Sequence, residues 1–486
     1  MINKTFVLSL VFMLILSTGM LAFANEGIQP YGNEFKIDTS GEFNTGVVFE
    51  NVVVTDNGSI TLKDGNEVGE YISQVIDVPN FEYMVVSWNS DTPQGTWIEV
   101  QARVFVNHYD EEGQPVESWT DWLSWGRWSP FIKRASVSND DELAKISVDE
   151  LIIKGNNKET ADKVQLRVIL HSNYPDVKPA VRLLHGTLKN TLEGQAIEKE
   201  FIDPVDINDL NNNIATPTFS QMIRDPKIAN SICSPTTITM IMNGKGQQLL
   251  PEEVAHNTYD FNYGFGNWAF AMASAGSYGY EAYVDYTTIE GLKQEIAKGY
   301  PVGVSVKYSS DPKKSSLPYV EGAPGITGGH LIVVTGFEVG EDGNEYVLVN
   351  DSYAPDNETV SRKYQLDQFE SAWSKSKNVA YIVHEKEEGA GYACTKRIDA
   401  EFIPNENLKE YQVMADGEII NIDNFEGTIA YTLDSNKNDF NEIEYNYFTK
   451  FKNINNALKF KEKEFSSEYL KTYVITDFGY VYVIEH

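Results

Sequence analysis

With only two cysteines among 486 residues, each one stands out, and Cys233 occupies a position that could make it reactive. It directly precedes Ser234-Pro235 and the apolar run "TTITMIM". Proline fits the first turn of a helix, where its missing N–H costs nothing. The run predicts a helix from Cys233 through Asn243, stopped by a C′ glycine at Gly244. A thiol at that N-terminus feels the positive end of the helix dipole, which favours thiolate and lowers its pKa from about 8.5 toward roughly 3.5–7.5. A thiolate nucleophile also needs a proton carrier for the leaving group, usually histidine. Of the seven histidines, His330 is the outlier, because it follows Gly328-Gly329 and opens the apolar strand "LIVVTGF". The glycines leave space for a substrate backbone. The next strand ends "VLVND", and a hairpin at Asp342-Gly343 brings Asn350 or Asp351 back beside His330. Asp351 is the first choice to hold the second ring nitrogen, with Asn350 as the substitute. Taken singly, a lone cysteine reads as a small buried hydrophobe and a lone histidine as a satisfied core residue. The three features together point to nucleophilic acyl transfer.

Elements that could position these groups occupy the middle of the chain. From Phe219 to residue 386 helical and strand segments mix: "TTIEGLKQEIAKG" reads as a helix with a capping box of Thr287 and Glu290 and a closing Gly299, followed by the β-rich "YPVGVSVKY". The pattern is that of an α+β domain. Residues 25–190 read differently, as short period-2 strands. In "TWIEVQARVFV" and "KVQLRVIL" apolar and polar residues alternate strictly, which argues for an all-β sandwich. Six of the eight tryptophans fall there, with Trp119, Trp122, Trp125 and Trp128 inside "SWTDWLSWGRWSP". Flat indoles can serve as a platform for sugar rings, or they can plug the core and its contact with the next domain. Large aromatics are buried on average, which favours the second reading. Residues 191–218, polar and rich in asparagine, read as a linker, and residues 387–486 as a small, mostly β domain of unknown role with a helical patch near "NNALKFKEKEFSSEYL". Within that tail Asp434 to Tyr445 imitate a calcium loop, but Asp439 stands where glycine is needed and Tyr445 where the bidentate glutamate belongs. No metal or other cofactor is called for.

In the middle domain the residues resemble the papain-like peptidases of the bacteriocin-processing (double-glycine, C-39-type) group, especially its exported C-39-like relatives. The resemblance covers about Phe219 to Tyr381 and is carried by "SQM", "CSPTTITMIM", "GLKQEIAKGYPVGVSV", "GGHLIVVTGF" and "VLVNDSYAP". It implies a papain-like α+β fold, with the family's Cys, His and Asp on Cys233, His330 and Asp351 and its oxyanion-stabilising Gln on Gln221. Gln221 lies twelve residues ahead of Cys233, so the resemblance requires "IRDPKIANSI" to loop out. Cys-Ser-Pro also stands where the family has Cys-Gly-Pro, which adds a side chain beside the nucleophile. The segment "VVSWNSDTPQGTWIEVQARV" looks like the sandwich that accompanies some exported members. The implied activity is hydrolysis of peptide or protein substrates through a thioester.

Composition narrows the partners. The first 24 residues carry Lys4, an apolar core and an Ala22-Phe23-Ala24 end, the pattern of a secretory signal peptide. No later apolar stretch is long enough to span a bilayer, so an exported, soluble protein is expected. A net charge of −32 repels phosphate backbones and anionic lipid, which leaves nucleic acid and membrane surfaces as poor partners. Two other readings stay open. One keeps the fold and acts on cell-wall peptides as an amidase or acyltransferase. The other is non-enzymatic: a surface- or carbohydrate-binding protein in which export permits a disulfide between Cys233 and Cys394.

Overall fold

The computed structural model describes residues 28–385 except 111, 156–157, 200–202 and 211–212, and residues 396–485 except 406–409, 421–425, 433–444, 453–458, 462–470 and 477–478. The leader, Cys394 and all but the last residue of the calcium-like segment lie outside the described residues, as does most of "NNALKFKEKEFSSEYL". Within that last stretch Lys459–Lys461 is a strand, not a helix. Its backbone pairs with Glu410–Gln412, and the ladder overrides local helix preference.

Two antiparallel sheets fill the region from Glu34 to Lys189. One is built around Tyr83–Asp91 and Ala180–Lys189, the other around Thr96–Tyr109 and Thr160–Ser172. The alternation seen in sequence sets their faces. Val100, Val104, Val164 and Leu166 of the second sheet are fully buried and share one apolar core with Val86 and Leu184 of the first. Each such side chain contributes about 1.5–3 kcal/mol by leaving water. Trp88, Trp125 and Trp128 are also fully buried. Trp88 and Trp128 pack on Phe270 of the helix Trp268–Ser277, with ring centroids 6.2 and 5.3 Å apart. Those two indoles therefore seal the junction with the next domain. Trp119 and Trp122 instead flank the Arg103 guanidinium at 4.8 and 4.9 Å.

The middle domain holds an antiparallel six-stranded sheet in the order Glu281–Tyr286, Val379–His384, Val302–Ser309, Ile326–Val339, Glu345–Asn350, Ser361–Gln365. Helices cover both faces, because alternate residues of the central strand serve different cores. Leu331 and Val333 pack with Ile238 and Ile241 of the helix Cys233–Gly244. Ile332 and Val334 pack with Leu292 of Ile289–Ala297 and Trp373 of Leu366–Ser374. The helix cap lies one residue later than the sequence suggested: Thr288 accepts from the Gly291 N–H, while the Thr287 N–H donates to Asn378 O and so belongs to the preceding strand end. Glu290 is drawn instead to the Val205 N–H at 2.7 Å. With Lys293 on Val205 O and Ile214 N on Thr335 O, this ties the segment read as a linker along the domain, and Ile207 and Leu210 are buried there.

An edge strand leaves a row of backbone donors and acceptors unpaired. Here side chains of the N-terminal sheet fill that row along Glu281–Tyr286. Asn89 exchanges two hydrogen bonds with Ala282, at 2.7 and 3.0 Å, Ser87 accepts from Val284 N, Thr187 from Tyr286 N, and Asn33 donates to Tyr286 O. At the other end of the chain, the sheet containing Lys396–Asn405, Lys471–Thr476 and Tyr480–Glu485 rests on the start of helix Pro251–Thr258. Tyr473, Ile475 and Val481 surround Leu250, and Arg397 pairs with Glu253 at 2.8 Å.

Candidate active site

Cys233 is the first residue of its helix. The preceding Ile232 offers no capping side chain, so the N-terminal N–H groups stay available to whatever stands at the helix start. Pro235 lies in the first turn without losing a bond, and Thr236 N to Ile232 O is the opening helical link. The helix runs through Gly244 rather than stopping before it. Its C′ residue is Gly246, at φ +94°, and Gly246 N and Gln247 N donate to Asn243 O and Met242 O in a Schellman arrangement. Gly244 keeps helical geometry because Gly246 is the glycine with the left-handed backbone. Ser234 does not crowd the nucleophile: it is buried, with its hydroxyl 2.9 Å from Tyr381 Oη.

The Cys233 thiol is free and partly exposed, and the His330 imidazole is close enough to act on its ionisation. His330 sits in the strand Ile326–Val339, paired with Val306 of the neighbouring strand. Gly328 and Gly329 ahead of it are exposed, and a Cβ on either would meet nothing within 4 Å. His330 Nε2 lies 2.7 Å from Asp351 Oδ1, which leaves Nδ1 for the sulfur side. Asp351 follows the end of the strand Glu345–Asn350 and is completely buried. Its Oδ2 accepts from the hydroxyls of Tyr308 and Tyr364, both at 2.8 Å, and its Oδ1 from Tyr353 N at 3.0 Å. Asn350 points elsewhere, to Thr216 and Ser361, since neighbouring residues at a strand end face opposite sides.

The electrostatics follow from these contacts. Burial disfavours the Cys233 thiolate, but the His330 hydrogen bond and charge, with the Leu331 and Ser234 backbone N–H groups, carry the thiol pKa below its ordinary value. Burial likewise opposes the imidazolium, yet the Asp351 charge and hydrogen bond, with help from Cys233, raise His330 to about 10. Asp351 is held below the usual carboxylate range against its own burial by His330 and the two tyrosine hydroxyls. Thiolate and imidazolium thus stabilise one another.

Gln221 lies in a short 3₁₀ turn, Gln221–Ile223. Its Nε2 donates to Ala229 O at 2.7 Å, its Oε1 accepts from Ser352 Oγ at 2.8 Å, and its backbone N–H donates to Ser352 O. It therefore ties the turn just ahead of Cys233 to the residue just after Asp351. The intervening segment does loop out, anchored by the buried ion pair of Arg224 with Glu252 at 2.6 Å. Tyr308 and Tyr364 escaped the sequence reading. Tyr308 continues the face of Val304 and Val306 in "YPVGVSVKY", a period-2 signal that could have placed it beside His330. Nothing local marks Tyr364.

Cys233, His330 and Asp351 all lie within a stretch that matches a family model. Residues 213–381 match the family described as "Peptidase_C39 like family". This region belongs to the C39-like peptidase family. Residues 36–188 match "Peptidase C39 N-terminal domain", so two matched regions of one peptidase type stand in tandem. Membership of the C39-like family supports a cysteine peptidase. No curated protein matches the chain. Among solved structures, a family two carbohydrate esterase from Cellvibrio japonicus shares 12% identity over 35% of this chain, which spans only 36% of the esterase, with a TM-score of 0.16. TmCBM61 in complex with beta-1,4-galactotriose shares 14% identity over 30% of this chain and 90% of its own, also with a TM-score of 0.16. Likenesses that slight bear on neither the fold nor the site of this chain. Among the described residues no helix is long and apolar enough to cross a membrane.

Proposed function

We propose that the chain is an exported cysteine peptidase that hydrolyses peptide bonds through Cys233, His330 and Asp351. The observation that carries this reading is the His330 imidazole, held on one side by a buried, tyrosine-braced carboxylate and close on the other to the Cys233 sulfur. The Cys233 thiolate attacks the substrate carbonyl to form a thioester as His330 delivers its proton to the departing amine. Asp351 fixes the ring so that Nδ1 faces the reacting atoms and stabilises its positive form. Water then attacks the thioester with His330 as base, restoring thiol and acid. The Cys233 backbone N–H, at an uncapped helix start, and the Gln221 hydrogen not given to Ala229 are the donors for the oxyanion. The elements around the triad support a papain-like reading of the domain, and the shared core of the N-terminal sheets supports a β-sandwich. Export, read from the first 24 residues, is part of the same proposal.

Replacing Cys233 by Ala tests it directly. Peptide hydrolysis and covalent labelling by iodoacetamide at this site should both disappear while the circular dichroism spectrum is unchanged. Undiminished turnover in Cys233→Ala would sink the reading.

A further inference from the structure

Between helices Pro251–Thr258 and Trp268–Ser277 runs an aromatic loop, "YDFNYGFGN" (residues 259–267). Its hydrogen bonds lead out of the peptidase domain. Phe261 N donates to Arg134 O at 3.1 Å, Asn262 Nδ2 to Ser136 O at 2.8 Å, and Ser136 N to Asp260 Oδ1 at 3.1 Å. At the far end of the loop Asp149, also from the N-terminal region, accepts from Trp268 N at 2.6 Å and so caps a helix of the neighbouring domain. The buried Arg134 guanidinium donates to His256 O, and Lys133 lies over the Phe261 ring. Asp260 completes the brace inside the loop by accepting from Asn262 N, Tyr263 N and Asn267 Nδ2.

What the loop presents lies beside the nucleophile. Phe265 packs on Ile228, Ile232 and Ala255, and Ile232 immediately precedes Cys233. Tyr263, by contrast, is 57% exposed, its ring folded over Gly266, where a Cβ would come within 3.2 Å. Among the described residues no hydrophobic core uses this ring. Burial, then the charges of Asp149, Cys233 and Asp260, push its phenol above the ordinary range, so it is a neutral aromatic surface. Such a surface suits an apolar side chain, whereas a carboxylate set against it would lose hydration.

We infer that the N-terminal sheets are a working part of the cysteine site: they hold the 259–267 loop so that Tyr263 forms a wall that accepts an apolar substrate side chain next to the scissile bond and rejects an acidic one. This rests on the peptidase reading above and adds the class of substrate. The test uses the full chain and a positional-scanning library of quenched peptides, read as the ratio of kcat/KM for Leu over Glu at each position flanking the cut. At one position the wild type should favour Leu, and Tyr263→Ala should reduce that ratio about tenfold, the scale of one apolar contact. Tyr263→Phe should retain it. Asp260→Asn, which removes an acceptor of the brace, should also lower the ratio while iodoacetamide labels Cys233 within about twofold of the wild-type rate, a readout that global damage would shift. An unaltered ratio in Tyr263→Ala overturns the assignment of the wall, and an unaltered ratio in folded Asp260→Asn overturns the role of the brace. If the wild type cleaves no peptide although Cys233 is alkylated, the peptidase reading fails first and this inference falls with it.

Discussion

His330 and Asp351 draw their support from within one sheet, whereas Cys233 and the loop beside it lean on residues scattered from Arg134 to Tyr381. On the imidazole side, Tyr308, Tyr364 and His330 come from three strands of a single sheet and converge on one carboxylate. That arrangement fixes geometry before substrate arrives. On the thiol side, the helix start is uncapped and the adjoining loop is fastened across a domain junction. On the proposed reading, the base is preorganised by local topology and the substrate wall is borrowed. The contrast shows how a chain can keep its chemistry constant while exposing its selectivity to a separate domain.

Substitutions can break either half. The largest effect after loss of the nucleophile should come from Asp351→Asn, which preserves volume but removes the charge that holds His330 as imidazolium. Steady-state kcat should fall by roughly 10⁴-fold, as in other triads that lose this carboxylate. Tyr308→Phe and Tyr364→Phe sharpen the comparison. Each deletes one charge-assisted hydrogen bond to a buried acid, so denaturant unfolding should show a loss of about 1.5–3 kcal/mol, with a smaller loss of kcat than Asp351→Asn gives.

The smallest effect probes the junction. Burial, with the charges of Glu150 and Asp260 and despite the Trp268 N–H, raises Asp149 to about 7. An unfolded aspartate titrates near 3.9, so between about pH 4 and 7 the folded protein binds the extra proton. Stability from this group is therefore present at low pH and is lost as pH rises toward 7. Asp149→Asn should flatten that decline, measured as the difference in Tm between pH 5 and pH 8 for the two proteins. An identical difference in both would show that the junction does not titrate through this residue.

The convergence of Cys233, His330 and Asp351 was more legible in the sequence than its surroundings. Cys233, His330 and Asp351 could be read because each sits at an element boundary that leaves a local trace: a proline in the first turn, a glycine pair, a hairpin. The strand faces of "TWIEVQARVFV" and "KVQLRVIL" were equally plain, since period 2 maps directly onto burial. What escaped depends on contacts distant in sequence. Tyr364 reaches Asp351 only through strand order, Thr288 displaced Thr287 as cap because Asn378 claimed the earlier N–H, and the segment from 203 to 218 looked free because its partners, Glu290, Lys293 and Thr335, lie well beyond it. The reading of the tryptophans as plugs of the core and of its contact with the next domain fits Trp88 and Trp128, which pack on Phe270 from that domain.

The row of side chains from Asn89, Ser87, Thr187 and Asn33 along Glu281–Tyr286 has a practical meaning for anyone dissecting this molecule. A trimmed fragment beginning near residue 203 would bare a sticky β-margin able to recruit a second copy strand to strand. Insolubility of such a fragment would then report a missing chaperone-like neighbour within the same polypeptide, not a defective catalytic half.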